Sequence, residues 1–222
     1  MYHRLLMLPM FNGLTTRELT QIIAQIQLDF CQHADGDTLL QQDDRCDRLV
    51  YVLSGQVSIE LTDATLQFIL TEQSERPFIV EPHNLYGMTQ QYEHSYYALS
   101  NVDTVTVSKR DFSNVMLNFP IVRTNMLNLL CARIQSQTRQ LHEAEAETVA
   151  QKTVQFIRRI ASTPKGPKTL KIKMETLATL IQETRLNVST TLHSLEQQGL
   201  ISMPHRGQIH IPDMQALVKA QL

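Results

Sequence analysis

The sequence predicts an α+β protein in three parts: an N-terminal antiparallel β-roll, a long central helix, and a C-terminal winged helix-turn-helix. Three observations predict it. Between residues 28 and 107, short runs rich in Val, Ile, Leu, Tyr and Thr are separated by turn signals such as ADGD, LSGQ, LTDA, EQSERP and SNVD. From residue 121 to 147 a helical pattern runs without glycine or proline. Two closely spaced amphipathic patterns and a hairpin then occupy the C-terminal third. A length of 222 residues suits a pair of compact units. The expected boundaries are 1–119 for a β-roll with flanking helices, 120–144 for the central helix and hinge, and 145–222 for the C-terminal unit.

Taken in order, LTTRELTQIIAQI puts Leu14, Leu19, Ile22, Ile23 and Ile26 on one face of a short helix. Thr15 or Thr16 is placed to cap it, with Glu18 in the first turn. RLVYVLSGQVSIEL and TLQFILT then read as strands of a roll or barrel. Gly36, Gly55 and Gly87 fall at turns, where a positive φ is tolerated. KRDFSNVMLNFP is a helix that stops near Pro120. In the long helix that follows, Leu127, Ile134 and Leu141 are seven apart, with Leu130 and Gln137 between them, which is the period of a coiled coil. This seam is the expected dimer interface, while Met126 and Leu129 remain to face the roll. Glu143, Glu145 and Glu147 form a short acidic run at the expected hinge. The second unit opens with ETVAQKTVQFIRRIAS, which buries Val149, Val154, Phe156, Ile157 and Ile160, and passes through TPKGPK to a short strand, TLKIK.

Charge is divided unevenly along the chain. Residues 1–150 hold 10 Lys/Arg against 18 Asp/Glu, a balance of −8, whereas residues 151–222 hold 10 against 4, a balance of +6. The basic C-terminal unit points to an anionic partner, nucleic acid first. Cys31, Cys46 and Cys131 are odd in number and lack metal or redox spacing, so they read as reduced thiols. The N-terminal apolar stretch is short and broken by Pro9, unlike a signal peptide, and no run approaches the ~20 apolar residues of a membrane span. A cytoplasmic location without membrane contact is expected.

The sharpest chemistry lies in METLATLIQETRLNVSTTLHSLEQQGLI. Leu177, Leu180 and Ile181 give the first helix its buried face, and Val188, Leu192 and Leu195 give the second an i, i+4, i+7 stripe. Gly199 ends it. Arg185, Leu186, Ser189, Thr190 and His193 then lie opposite the stripe, where a helix in the major groove presents groups to base edges. Arg185 suits a bidentate contact to guanine, Leu186 a thymine methyl, and Thr184 or Asn187 a phosphate at the helix start. The hairpin LISMPHRGQIHIP carries Arg206 at its turn as a backbone contact, with Lys171 and Lys173 as further ones.

With these residues in place the chain resembles the Crp/Fnr superfamily of bacterial transcription regulators. The likeness runs through LPMFNGLTTREL, GDTL followed by DRLVYVLSGQVSI, VEPHNLYG, VSKRDF, the long helix and RLNVSTTLHSLEQQGLI with its wing. The resemblance implies a cyclic-nucleotide-binding-like jelly roll that senses an effector, a homodimer through the central helix, and binding to a palindromic promoter site in double-stranded DNA. RNA polymerase is the further partner it implies.

The segment NLYGMTQQYEHSYYALS occupies the place of the effector pocket, with Gly87, Met88, Tyr92, His94, Tyr96 and Tyr97 as candidate lining. Cyclic-nucleotide-binding relatives carry there a glutamate for the ribose and an arginine for the phosphate. Met88 stands at the glutamate position, and no Lys or Arg occurs between Arg76 and Lys109. A buried phosphate without a cation is costly, which argues against cyclic AMP and leaves the effector unknown. Haem, with His83, His94 or Met88 as axial ligand, and another small molecule remain alternatives of the same fold. Three scattered cysteines do not make an iron–sulfur site, and His33, His83 and His94 show no metal-ligand pattern, so no metal is expected. No nucleophile elbow or phosphate loop suggests an enzyme. A protein-binding winged helix is the rival to a DNA-binding one.

Overall fold

The computed structural model describes residues 8–141 and 148–221. The acidic run at Glu143, Glu145 and Glu147 lies outside them, as do the first seven residues and the side chain of Leu141. The chain groups into two units, residues 1–57 with 75–139 and residues 58–74 with 140–222.

The first unit opens with helix α1 (Thr16–Ile23), held at its start by a reciprocal capping box. The Thr15 hydroxyl accepts from Glu18 N at 3.2 Å and the Glu18 carboxylate accepts from Thr15 N at 2.8 Å. One sheet of the roll is four-stranded and antiparallel, in the order β1 (Leu28–His33), β8 (Val102–Ser108), β3 (Arg48–Ser54), β6 (Phe78–Val80). Tyr51 sits in its middle, opposite Val105 on one side and Ile79 on the other, and is fully buried with its ring 6.1 Å from that of Phe11. A second pair, β2 (Thr38–Leu40) with β7 (Ser95–Ala98), is also antiparallel. The three glycines expected at turns adopt φ of +87° (Gly36), +96° (Gly55) and +97° (Gly87). Gly55 is the one that space alone demands, because a Cβ there would lie 2.4 Å from the Asn101 carbonyl oxygen.

Helix α2 (Lys109–Asn114) follows β8, capped by Ser108, whose hydroxyl accepts from Asp111 N at 3.0 Å. Pro120 then begins the long helix α3 (Pro120–Leu141) rather than merely ending its predecessor. Proline suits a first helical position, where no N–H is needed. Val122 and Met126 are buried, and Asn125 donates to the Met10 and Asn12 carbonyls at 3.0 and 2.8 Å. The opposite face is open: Leu127 is 56% and Ile134 60% exposed. Gln137 is exposed and Leu130 half-buried. No single helix among the described residues is long and apolar enough to cross a membrane.

The second unit contains α4 (Val149–Ile160), β9 (Lys168–Ile172), α5 (Met174–Leu180), α6 (Arg185–Gln197), β10 (Gln208–Ile211) and α7 (Met214–Gln221). It also contains the hairpin of β4 (Val57–Asp63) and β5 (Phe68–Ser74), whose residues the sequence alone places in the roll. Strand β5 pairs antiparallel with β9, and β9 with β10, so the order runs β10-β9-β5-β4. Phe68 and Leu70 of β5 accordingly join Val154, Ile157, Leu170, Leu177, Val188, Leu192, Leu195, Ile209 and Ile211 in one apolar core. Phe156, Val149, Ile160 and Leu180, expected to be buried, lie at the core's margin and are only partly covered.

Candidate nucleic-acid interface and sensor pocket

The turn between α5 and α6 is built by backbone rules. After α5, Gln182 takes a left-handed conformation (φ +57°), Glu183 N donates to Ala178 O at 2.9 Å and Gln182 N to Thr179 O at 3.2 Å, a Schellman closure without glycine. Thr184 then caps α6, its hydroxyl accepting from Asn187 N at 3.1 Å. At the far end Gly199 (φ +72°) closes a second Schellman motif through Leu200 N to Leu195 O at 3.0 Å. Both ends of the helix are therefore fixed within a few residues of sequence.

Val188, Leu192 and Leu195 are buried, which turns the opposite face outward. Thr184, Arg185, Leu186, Asn187, Thr190 and His193 are exposed, and Ser189 is half-buried. Leu186 is 74% exposed, a large apolar side chain at the tip of the helix with nothing of its own unit to cover it. Arg185 is held by Glu175 of α5, Nε to Oε1 at 2.9 Å, with both side chains largely exposed. Such an exposed pair is worth little, so the guanidinium is oriented without being locked. Glu183 ties the turn to α4, with Lys152 Nζ at 2.5 Å from its carboxylate. Hydrogen bonds from Lys152 and Asn187 hold the Glu183 carboxyl below its ordinary value.

The wing forms as a bridge between Ser202 and His210, each donating its N–H to the other's carbonyl at 2.8 Å. Gly207 (φ +76°) turns the chain, and its carbonyl accepts from Ile172 N at 2.8 Å. Arg206 is exposed beside it. Lys171, Lys173 and Arg206 line a single groove with Asp63 and Gln67 of the β4–β5 turn. All the sequence-predicted nucleic-acid residues fall in one unit, with Lys171, Lys173 and Arg206 together on one groove.

The loop after β6 is organised differently from the expectation of a ligand-lining surface. Tyr92, His94 and Tyr96 are buried, Tyr97 is half-buried in the β2–β7 pair, and Gly87 and Met88 are exposed. Met88 projects wholly into solvent and lines nothing. The Tyr92 hydroxyl donates to Arg48 O at 3.3 Å. The buried centre is Glu81, which sequence reasoning missed. Its Oε1 accepts from Tyr96 Oη at 2.9 Å and pairs with His94 Nδ1 at 2.6 Å, while its Oε2 accepts from Asn84 Nδ2 at 2.9 Å and Glu93 N at 2.6 Å. Burial pushes the Glu81 carboxyl up, but the hydrogen bonds from His94, Glu93 N and Tyr96 outweigh it and hold the group below its ordinary value. The one sequence signal was a glutamate directly after the apolar strand Phe78–Val80 and before a proline. Glu81 also takes a left-handed backbone (φ +34°), uncommon for a residue with a side chain.

Around this centre, Glu93 lies 3.4 Å from His83 Nε2 and 3.4 Å from an Arg133 Nη of α3. The His83 contact outweighs burial, and with help from Arg133 it brings the Glu93 carboxyl down to about 2. Arg133 thus brings a cation from α3 to a stretch that has no Lys or Arg of its own between Arg76 and Lys109. His33 lies elsewhere, its Nε2 3.1 Å from the Thr104 hydroxyl.

Comparison with known proteins places both parts. A family model of the cyclic nucleotide-binding domain matches residues 31–119, and a Crp-like helix-turn-helix domain matches residues 151–220. A protein described as the cyclic AMP receptor protein of Thermus thermophilus is 24% identical over 200 residues, 88% of each chain. The crystal structure of the catabolite activator protein of the same organism aligns with TM-score 0.53 at 21% identity, over 95% of this chain and 97% of that one. A putative Crp/Fnr-family transcriptional regulator from Eubacterium rectale aligns with TM-score 0.55 at 18% identity, over 96% of this chain and 97% of its own.

Proposed function

The chain belongs to the Crp/Fnr family of transcription regulators, and we propose that it acts as a homodimer that reads a two-fold symmetric DNA site through the N-terminal face of α6. The observation that carries the reading is that face itself: Arg185, Leu186, Asn187, Thr190 and His193 are exposed on a helix whose other side is wholly buried. Arg185 reads guanine, Ser189 and Thr190 contact neighbouring bases, Leu186 meets a thymine methyl, and Thr184 or Asn187 holds a phosphate at the helix start. Lys171, Lys173 and Arg206 add phosphate contacts that fix register without reading sequence. The seam of Leu127, Leu130, Ile134, Gln137 and Leu141 pairs two copies, setting the reading helices about 34 Å apart on one DNA face.

The sensing roll, in this reading, is not built for a cyclic phosphate. The buried charge of the pocket region is a carboxylate, Glu81, with the exposed Glu93 beside it, and the Arg133 guanidinium that reaches the loop is already paired with Glu93. An incoming phosphate would meet repulsion where it needs a cation.

The test begins with selection of bound sequences from random double-stranded DNA, followed by fluorescence titration of the selected site. Wild type should bind with an affinity that falls steeply with salt. Arg185→Ala should lose discrimination at one base pair of each half-site by about 1–3 kcal/mol while staying dimeric. Binding that ignores both sequence and salt would instead favour a winged helix used for protein contact.

A further inference from the structure

Strand β9 lies between β5 and β10, and the three strands end together. The register sets Phe68 of β5 opposite Ile172, and Gln208 of β10 opposite Lys171. Carried one residue past the end of β9, the same antiparallel register puts Gln67 beside Lys173 on one side and Arg206 beside it on the other, with about 4.8 Å between neighbouring chains. The β4–β5 turn therefore shares its end of the sheet with the wing. Asp63 and Gln67 of that turn line one groove with Lys171, Lys173 and Arg206.

The hairpin is fixed there. Five residue pairs join β5 to β9, and Phe68 and Leu70 are buried in the core that also holds Val188, Leu192 and Leu195 of α6. Phe68 meets Phe156 edge-on with ring centroids 5.8 Å apart, and the Glu72–Lys168 pair closes the far end of the ladder at 2.6 Å. The turn is thus held in the same packed body as the exposed helix. Its charge environment is one-sided, with three cations set against the single carboxylate of Asp63. None of the three forms a salt bridge among the described residues, and cations this close repel one another within a Debye length of about 8 Å. A polyanionic backbone offsets that surplus. Asp63 meanwhile shapes the turn, its Oδ1 accepting from Leu66 N at 2.7 Å.

We propose that the β4–β5 hairpin is a second wing: its turn meets the DNA backbone beside Arg206, the Gln67 side-chain amide donates to a phosphate oxygen, and Asp63 limits the affinity of the groove for DNA of any sequence. Such a contact fixes position without reading bases. It comes from within residues 31–119, the stretch that matches the nucleotide-binding domain, so the DNA surface extends beyond the helix-turn-helix match at 151–220. The inference rests on the DNA-binding reading above.

Full-length protein on the selected site provides the test, by phosphate ethylation interference and by the salt dependence of binding. Gln67→Gly removes the amide and suits the left-handed backbone at that position (φ +55°), so the turn is kept. It should erase interference at one phosphate of each half-site that blocks wild type, with base discrimination unchanged. Gln67→Lys should steepen the slope of log K against log salt by about 0.9. Asp63→Asn keeps an oxygen for Leu66 N and should tighten binding several-fold to selected and random DNA alike. An interference pattern in Gln67→Gly identical to that of wild type, or a slope unmoved by Gln67→Lys, overturns the second wing while the regulator reading stands. Wild-type affinity in Asp63→Asn overturns the role of Asp63, and a wild-type protein that binds no DNA overturns both readings.

Discussion

Lys168 and Glu72 face each other across β9 and β5, both buried to 1% exposure, with Nζ 2.6 Å from Oε2. Ser162 N and Oγ donate to Glu72 Oε1 at 2.6 and 2.9 Å, Thr163 N and Oγ1 donate to Oε2, and Lys168 also reaches Thr163 O at 2.7 Å. A buried pair this well satisfied does not necessarily add stability over an apolar pair. Breaking it is another matter, because the remaining charge stays buried, at about 3–5 kcal/mol. Lys168→Met should therefore lower stability by that amount in urea unfolding followed by far-UV circular dichroism, and Lys168→Met with Glu72→Leu should recover most of the loss. The pH dependence has a definite sign. Burial pushes the Glu72 carboxyl up, yet the Lys168 ammonium and the surrounding hydrogen bonds bring it below its ordinary value. A depressed carboxyl stabilises fully above the unfolded value of roughly 4.3, and that contribution is lost as pH falls through the lower folded value. The acid slope of stability below about pH 4.3 should be shallower in Glu72→Gln. Gly55→Ala should also destabilise, by at least about 2 kcal/mol, since its positive φ and the 2.4 Å approach to Asn101 O act together.

Elements whose ends are fixed locally were legible in the sequence. Thr15 with Glu18, Gly199 and the Val188, Leu192, Leu195 stripe each lie within one turn or one helix, so caps and periodicity placed α1 and α6 and the exposed face of α6. Thr184→Ala should cost about 1 kcal/mol and loosen the helix start that presents Arg185, measured as lower thermal stability together with weaker DNA binding. What sequence could not give were contacts between distant segments. Strand β5 alternates like any roll strand, and nothing in TLQFILTEQS says that its open edge pairs with β9, nearly a hundred residues later. Glu81 failed for the same reason. A lone glutamate reads as surface until His94, Tyr96, Asn84 and the Glu93 N–H converge on it, and the loop's own residues announce neither Glu81 upstream nor Arg133 on a later helix. Of the tyrosines named as candidate lining, Tyr92 and Tyr96 are buried in the roll and Tyr97 is half-buried.

At the scale of the whole molecule, the uneven charge and the bare seam of α3 belong to one argument. A basic unit reading a single half-site makes few base contacts, and two linked units bind about 10²–10⁴-fold more tightly than either alone, because the second engagement is intramolecular. In the proposed homodimer the seam provides the link. Leu127 and Ile134, more than half exposed at a spacing of seven, present apolar area that a lone chain leaves in water, while Met126 on the other face is already buried in the roll. Placing a charge at both seam positions sets like charges against each other across a two-fold axis, where every residue meets the same surface of its copy. Leu127→Glu with Ile134→Glu should accordingly give monomers in analytical ultracentrifugation with unchanged circular dichroism, since neither side chain contributes to a core. The same protein should bind a two-half-site operator at least about 100-fold more weakly while its affinity for a single half-site stays put. A double variant that remains dimeric would move the pairing surface off α3, and one that is monomeric yet binds the full operator undiminished would remove dimerisation from the mechanism.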